Sequence, residues 1–204
     1  MICALVRAAG RSRRMGTQKL LLPVGGRPVI TRIVDEVLAS PVDQVFVVIN
    51  PDGAGITSAL ADRRVRFVVN AELEGEMLSS VRCGLAAMPP TCEAVLVVLG
   101  DQPTLTADVV ARLVRAFQTS GRGLVVPTAG GRRGHPLLFA MRYRDEVLQG
   151  YEELGLRGLL QAHTEDICEI EVVTPGILED LDVPEDFRRF VAGLGATDRP
   201  RQPL

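Results

Sequence analysis

The sequence has no long apolar run, no excess of positive charge and no closely spaced cysteines. Its longest apolar stretches, such as Ala94 to Leu99, fall far short of the roughly 20 residues that a membrane helix needs, which excludes a transmembrane span. Lys and Arg number 23 against 25 Asp and Glu, for a formal net charge of -2, so nothing is left over to neutralise a nucleic-acid backbone. A local basic cluster could still bind a small anion. The four cysteines (Cys3, Cys83, Cys92, Cys168) contain no C-x-x-C pair and three lie in apolar stretches; the expectation is reduced core thiols in a cytoplasmic protein. Met1-Ile2-Cys3-Ala4-Leu5-Val6 meets a Gly-rich turn at once, without the basic and apolar regions of a secretory leader. The two histidines, His135 and His163, have no Cys or His at ligand spacing, which argues against zinc.

What is present is enough for one core: 204 residues, 47% of them hydrophobic. Runs of Val, Ile and Leu, too short and too uniformly apolar for half-exposed strands, predict buried parallel strands at Ile2–Val6, Gln44–Asn50, Val65–Val69, Ala94–Gly100 and Gly123–Pro127. Between them lie helical patterns at Pro28–Ala39, Met77–Met88 and Ala107–Gln118. This alternation predicts an α/β fold: a doubly wound, mostly parallel sheet in three layers, Rossmann-like. After Pro127 the rhythm changes to a Gly/Arg-rich turn, Gly130-Gly131-Arg132-Arg133-Gly134, then a short strand Pro136–Ala140 and helical pieces to His163. We expect a single domain over 1–193, with a small subregion around 128–163 inserted near the sheet edge. Ile167–Val173 reads as a further strand, Pro184–Ala192 as a last amphipathic helix, and 194–204 as a flexible tail.

The densest chemical signal follows the first strand: Ala8-Ala9-Gly10-Arg11-Ser12-Arg13-Arg14-Met15-Gly16-Thr17-Gln18-Lys19. Ligands of open α/β sheets bind at the carboxyl ends of strands, where this loop stands. Small residues let a ligand approach the backbone, whose N–H groups can face phosphate oxygens, and four cationic side chains (Arg11, Arg13, Arg14, Lys19) follow with no carboxylate between them. Polyphosphate is the natural ligand. It is neither of two familiar phosphate loops: no glycine stands two positions after Gly10, and Gly16 is followed by Thr17 and Gln18 before Lys19. Asp101 ends the most apolar strand and precedes Gln102-Pro103, so a carboxylate at that tip is suited to hold Mg²⁺ against phosphates; Thr104 and Thr106 are better placed to cap the next helix.

Ala8 to Lys19, continued by Leu20-Leu21-Leu22-Pro23-Val24-Gly25-Gly26-Arg27-Pro28, resembles the MobA-like nucleotidyltransferases, and among them the molybdenum cofactor cytidylyltransferases. The resemblance extends to Gly75 with Ser79-Ser80, to Gly100-Asp101-Gln102-Pro103, to Gly134-His135-Pro136 and to the segment Asp180 to Phe187. It implies catalytic roles for Arg14, Lys19 and Asp101. It implies nucleotide contacts from Ala8, Ala9, Gly10, Arg11, Ser12, Arg14, Lys19, Gly75, Ser79, Ser80 and Gly100, although the two serines could equally cap a helix. Gly134, His135 and Pro136 would face the acceptor, and Asp182 would join Asp101 on Mg²⁺, with Asp180 as the alternative ligand and helix capping as the alternative role for Asp182. Where the family usually carries an apolar residue this chain has Arg7, which either points to solvent or reaches towards phosphate, since burying it unpaired costs several kcal/mol. Glu76 adds a negative charge in a segment expected to be neutral.

The implied reaction is transfer of CMP from CTP to the phosphate of the molybdenum (molybdopterin) cofactor, with release of pyrophosphate and with a molybdoenzyme or its chaperone as a possible partner. Ala9 favours CTP, because guanylyltransferase relatives tend to have a second glycine there. GTP with molybdopterin, a sugar phosphate, phospholactate and a non-catalytic cofactor carrier are the other readings. No general base is needed, because a phosphate monoester is already an anionic nucleophile.

Overall fold

A computed structural model describes residues 1–10, 18–72, 77–173, 175–178, 181 and 183–197. Along the chain run β1 (Ile2–Arg7), the hairpin strands β2 (Pro23–Val24) and β3 (Arg27–Pro28), α1 (Val29–Leu38), β4 (Gln44–Ile49), α2 (Ala54–Ala59), β5 (Arg66–Val69), α3 (Met77–Ala87) and β6 (Ala94–Leu99). They are followed by α4 (Ala107–Ser120), β7 (Leu124–Ala129), β8 (Arg132–Arg133), β9 (Leu137–Ala140), α5 (Arg144–Gln149), α6 (Leu156–Ala162), β10 (Ile167–Glu171) and α7 (Pro184–Thr197). The main sheet has the order β10-β7-β9-β6-β1-β4-β5, with β8 paired to β7. Strands β6, β1, β4 and β5 run parallel to one another, as β10 does to β7, while β9 is antiparallel to both β6 and β7.

Alternation along β1 builds the three layers. Ile2, Ala4 and Val6 face one core, which takes the apolar sides of α1, α2 and α4; Cys3 and Leu5 face the other, under α3, α5 and α6. Leu5, Phe46 and Phe139 are fully buried, each burial contributing on the order of 2 kcal/mol. Helix α3 lies very close on β1: a Cβ at Gly84 would stand 2.3 Å from Leu5 Cδ1. Helix α4 ends on Gly121 in the left-handed region (φ 69°), a conformation that glycine adopts without cost from a side chain.

Several expectations are corrected. The strand expected near the sheet edge, β9, lies inside the sheet between β7 and β6; Leu137 and Phe139 face one core and Leu138 the other, so a wholly apolar strand is buried on both faces. The strand expected to be buried at Val65–Val69 is instead an edge, with Phe67 37% and Val69 55% exposed. The last helix continues to Thr197 rather than giving way to a tail after Gly193. Of the four free cysteines Cys3 and Cys92 are buried, but Cys83 and Cys168 are only half-buried. Among the described residues no helix is long and apolar enough to cross a membrane.

Candidate active site

Parallel strands β1 and β6 present their carboxyl ends side by side. Gly100 N–H donates to the Arg7 carbonyl at 3.0 Å, and a Cβ at Gly100 would come within 2.4 Å of that oxygen. Glycine is therefore what lets the chain leave β6 flush against β1. On β1 the ladder continues one residue past the strand, where Ala8 N–H donates to the Val48 carbonyl at 2.8 Å, burying Ala8. Ala9 and Gly10 follow, and nothing lies within 4 Å of where a Cβ on Gly10 would be.

Leu20, 3% exposed, inserts into the core and anchors the short 3-10 turn Lys19–Leu21. That anchor brings Lys19 Nζ to 2.6 Å from Asp101 Oδ2, with side-chain exposures of 12% and 15%. Two residues 82 positions apart, both assigned from the sequence, thus meet at the tip of β6. Asp101 is not a helix cap: Thr106 Oγ1 takes that place on α4, accepting from Val109 N–H at 3.4 Å.

Two more separated segments are tied to the same point. The Ile177 carbonyl accepts from Gln102 Nε2 at 3.4 Å and from His135 N–H at 3.0 Å. Thr104 Oγ1 donates to the Gly176 carbonyl at 2.7 Å, and Leu181 N–H to the Asp101 carbonyl at 3.0 Å. Gly134 N–H reaches the Pro127 carbonyl at 2.9 Å, and a Cβ at Gly134 would lie 2.4 Å from the Ile177 carbonyl oxygen. The His135–Pro136 peptide is cis. The Gly-Asp-Gln-Pro and Gly-His-Pro blocks and the chain at 176–181 are therefore knit together through backbone hydrogen bonds.

They border an open pocket of about 760 Å³, within the range of small-molecule sites. Its lining includes Arg7, Asp101, Gln102, Arg132, Arg133, Gly134, His135 and Arg157, over apolar ground from Leu99, Leu137, Leu156 and Leu160. Burial pushes the His135 imidazole below its usual value, Asp101 opposing and Arg157 reinforcing the shift, so the ring stays neutral near pH 7. Its Nδ1 is buried without a hydrogen-bond partner.

Ser79 and Ser80, in the first turn of α3, share one donor: Asn70 Nδ2 lies 2.6 Å from Ser79 Oγ and 3.4 Å from Ser80 Oγ. Ser80 is 2% exposed and faces the core, whereas Ser79 is half-buried. Sequence reasoning missed Asn70 and Arg157. A lone Asn after a strand and a lone Arg in a Leu-rich helix have no local pattern, and only the packing of α3 and α6 onto the sheet brings them here. Arg11, Ser12, Arg14, Gly75, Glu76, Asp180 and Asp182 lie outside the described residues.

The family model of MobA-like NTP transferase domains matches residues 4–167. The molybdenum cofactor cytidylyltransferase of Escherichia coli K12 is 25% identical over 91% of this chain and 93% of its own length. The 2-C-methyl-D-erythritol 4-phosphate cytidylyltransferase of Streptomyces coelicolor is 38% identical over 61% of this chain, an alignment that spans 48% of that relative. A solved nucleotidyl transferase from Methanothermobacter superposes with a TM-score of 0.84 at 27% identity, covering 97% of this chain and 99% of the other.

Proposed function

Since the chain belongs to the family of MobA-like NTP transferase domains and is a nucleotidyltransferase, we propose that it transfers CMP from CTP to the phosphate of an acceptor, the molybdenum cofactor, and releases pyrophosphate. The observation that carries the reading is the meeting of Lys19 and Asp101, 2.6 Å apart, at the joined tips of β1 and β6, beside a pocket rich in cations. Nucleotide choice and acceptor follow the likeness to the Escherichia coli cytidylyltransferase, which aligns over nearly its whole length.

The donor set fits Mg²⁺. Among the described residues no three His, Cys, Asp or Glu gather as an all-protein cage, and Mg²⁺ takes one or two carboxylates and completes its shell with water and substrate phosphates. Asp101, with Asp182 as the proposed second ligand, would hold it, and when bound it supplies positive charge to the triphosphate. Lys19 neutralises a triphosphate oxygen and then the charge that grows on departing pyrophosphate, and Asp101 keeps its ammonium aimed there. Arg14 is proposed to share this task. The small side chains of Ala9 and Gly10 leave their N–H groups open to phosphate, with Arg11 and Ser12 continuing the cradle. Gly100 holds the ends of β6 and β1 together beneath it, and Ala8 ties β1 to β4. Ser79, and through Asn70 also Ser80, are proposed to shape the nucleoside side, a task the family likeness also gives to Gly75.

On the acceptor side Gly134 and His135 line the pocket, and Pro136 is proposed to support that wall. A neutral His135 adds no charge and orients the acceptor by hydrogen bonding. The acceptor phosphate attacks the α-phosphorus in line with the leaving pyrophosphate; positioning supplies most of the rate enhancement because the nucleophile is already ionised. Single-turnover pyrophosphate release with CTP, GTP and ATP, each with Mg²⁺ and molybdenum cofactor, tests the proposal. CTP is expected to be fastest; faster release from GTP would overturn the cytidylyl assignment.

A further inference from the structure

We propose that Arg7 makes this chain select an acceptor with two anionic groups on an apolar frame: the phosphate that attacks, and a second anion received by the Arg7 guanidinium. The inference rests on the transferase reading and deepens it. Arg7 is the last residue of β1, and by strand alternation its side chain follows Cys3 and Leu5 towards α3 and α6, away from the face of Val6 and Ala8. It lines the pocket that holds Asp101 and His135, whereas Ala8, Ala9, Gly10 and Lys19 on the nucleotide side do not. Its Nε is buried with no hydrogen-bond partner. Among the described residues no carboxylate forms an ion pair with it.

A buried, unmatched guanidinium N–H is unfavourable in the free protein and is explained by a ligand that supplies the acceptor. Guanidinium prefers planar oxyanions, which it binds by paired hydrogen bonds. Arg132, Arg133 and Arg157 outnumber the carboxylates of Asp101 and Glu153 in the same pocket, while Leu99, Leu137, Leu156 and Leu160 give it an apolar floor. A ligand with anionic ends and an apolar middle matches this lining, and a single phosphate on a fully polar body does not. Its place in one pocket with Gly134 and His135, on the face of β1 away from Val6 and Ala8, assigns Arg7 to the acceptor rather than to the triphosphate.

The test is calorimetric titration of the whole chain with two probes, benzyl phosphate and 4-carboxybenzyl phosphate, which differ in the second anion. The wild-type protein is expected to bind the carboxylated probe at least tenfold more tightly. Arg7→Met and Arg7→Gln should abolish that preference while changing benzyl phosphate affinity less than threefold, and Arg7→Lys should restore part of it. Equal binding of the two probes by the wild type, binding of neither, or a preference that survives in a folded Arg7→Met or Arg7→Gln variant would overturn the inference. Mg²⁺-dependent CTP binding, measured separately, distinguishes the readings: a wild type that binds CTP but shows no probe preference refutes Arg7 selection alone, whereas a wild type that binds no CTP refutes the transferase reading.

Discussion

Replacing Asp101 by Asn should destabilise the protein as well as stop its chemistry, although a carboxylate at a strand tip contributes little to a hydrophobic core. The reason is Lys19, whose ammonium lies 2.6 Å from Asp101 Oδ2 with both side chains about 85% removed from solvent. At an effective dielectric of roughly 20 the gross attraction at that separation is about 6 kcal/mol, most of it offset by the desolvation of both charges. Breaking deeply buried pairs costs about 3–5 kcal/mol and exposed pairs couple by about 0.2–1 kcal/mol, so this partly wetted pair is expected near 2 kcal/mol. For a chain of this length that is a fall in Tm of about 4–8 °C. The assay is a double-mutant cycle of Asp101→Asn and Lys19→Met by urea denaturation, with pyrophosphate release measured on the same samples. The expected result is a coupling of about 1–2 kcal/mol and a drop in turnover on the order of 100-fold or more for Asp101→Asn. A coupling below about 0.5 kcal/mol would refute the energetic argument, and unchanged turnover would refute the role given to Asp101.

Arg7→Met should raise stability by about 1–2 kcal/mol in the absence of ligand, because it removes a guanidinium whose Nε is buried without a partner; a lowered urea midpoint would contradict this. Gly100→Ala should cost at least about 2 kcal/mol and reduce turnover, since its Cβ would stand 2.4 Å from the Arg7 backbone oxygen and backbone cannot swing aside; wild-type activity in that variant would show that the strand ends need not meet. His135 is held below its usual value of 6.5 by burial, so above that pH it is neutral in both folded and unfolded chains and contributes nothing to the pH dependence. As pH falls through that value the unfolded chain takes up its proton first, and the native state loses stability. Urea midpoints measured between pH 7.5 and 5 should therefore fall less steeply for His135→Gln than for the wild type; parallel curves would refute the assignment. Chelation of divalent ions should abolish pyrophosphate release and Mg²⁺ should restore it; turnover that persists with chelator present would exclude the role proposed for the ion.

Local pattern determined a good deal. Uniformly apolar runs marked β1, β4, β6 and β7 as buried strands, amphipathic spacing marked α1, α3 and α4 to within two residues at each end, and residue chemistry singled out Lys19 and Asp101, while the family resemblance pointed to His135. These features are legible because period and composition depend on near neighbours in the chain. Which face or edge an element occupies depends on partners far away. β5 read as a buried strand and β9 as part of a subregion near the sheet edge, yet β9 lies inside the sheet and β5 is an exposed edge, because pairing across the sheet is settled by whole-molecule packing. The same holds for the site. A charge such as Asp101 can be read as a ligand from its place at a strand tip, but its pairing with Lys19, the convergence of Gln102 and His135 on the Ile177 carbonyl, and the placing of Arg7 and Arg157 in one pocket exist only once the strands and helices have packed.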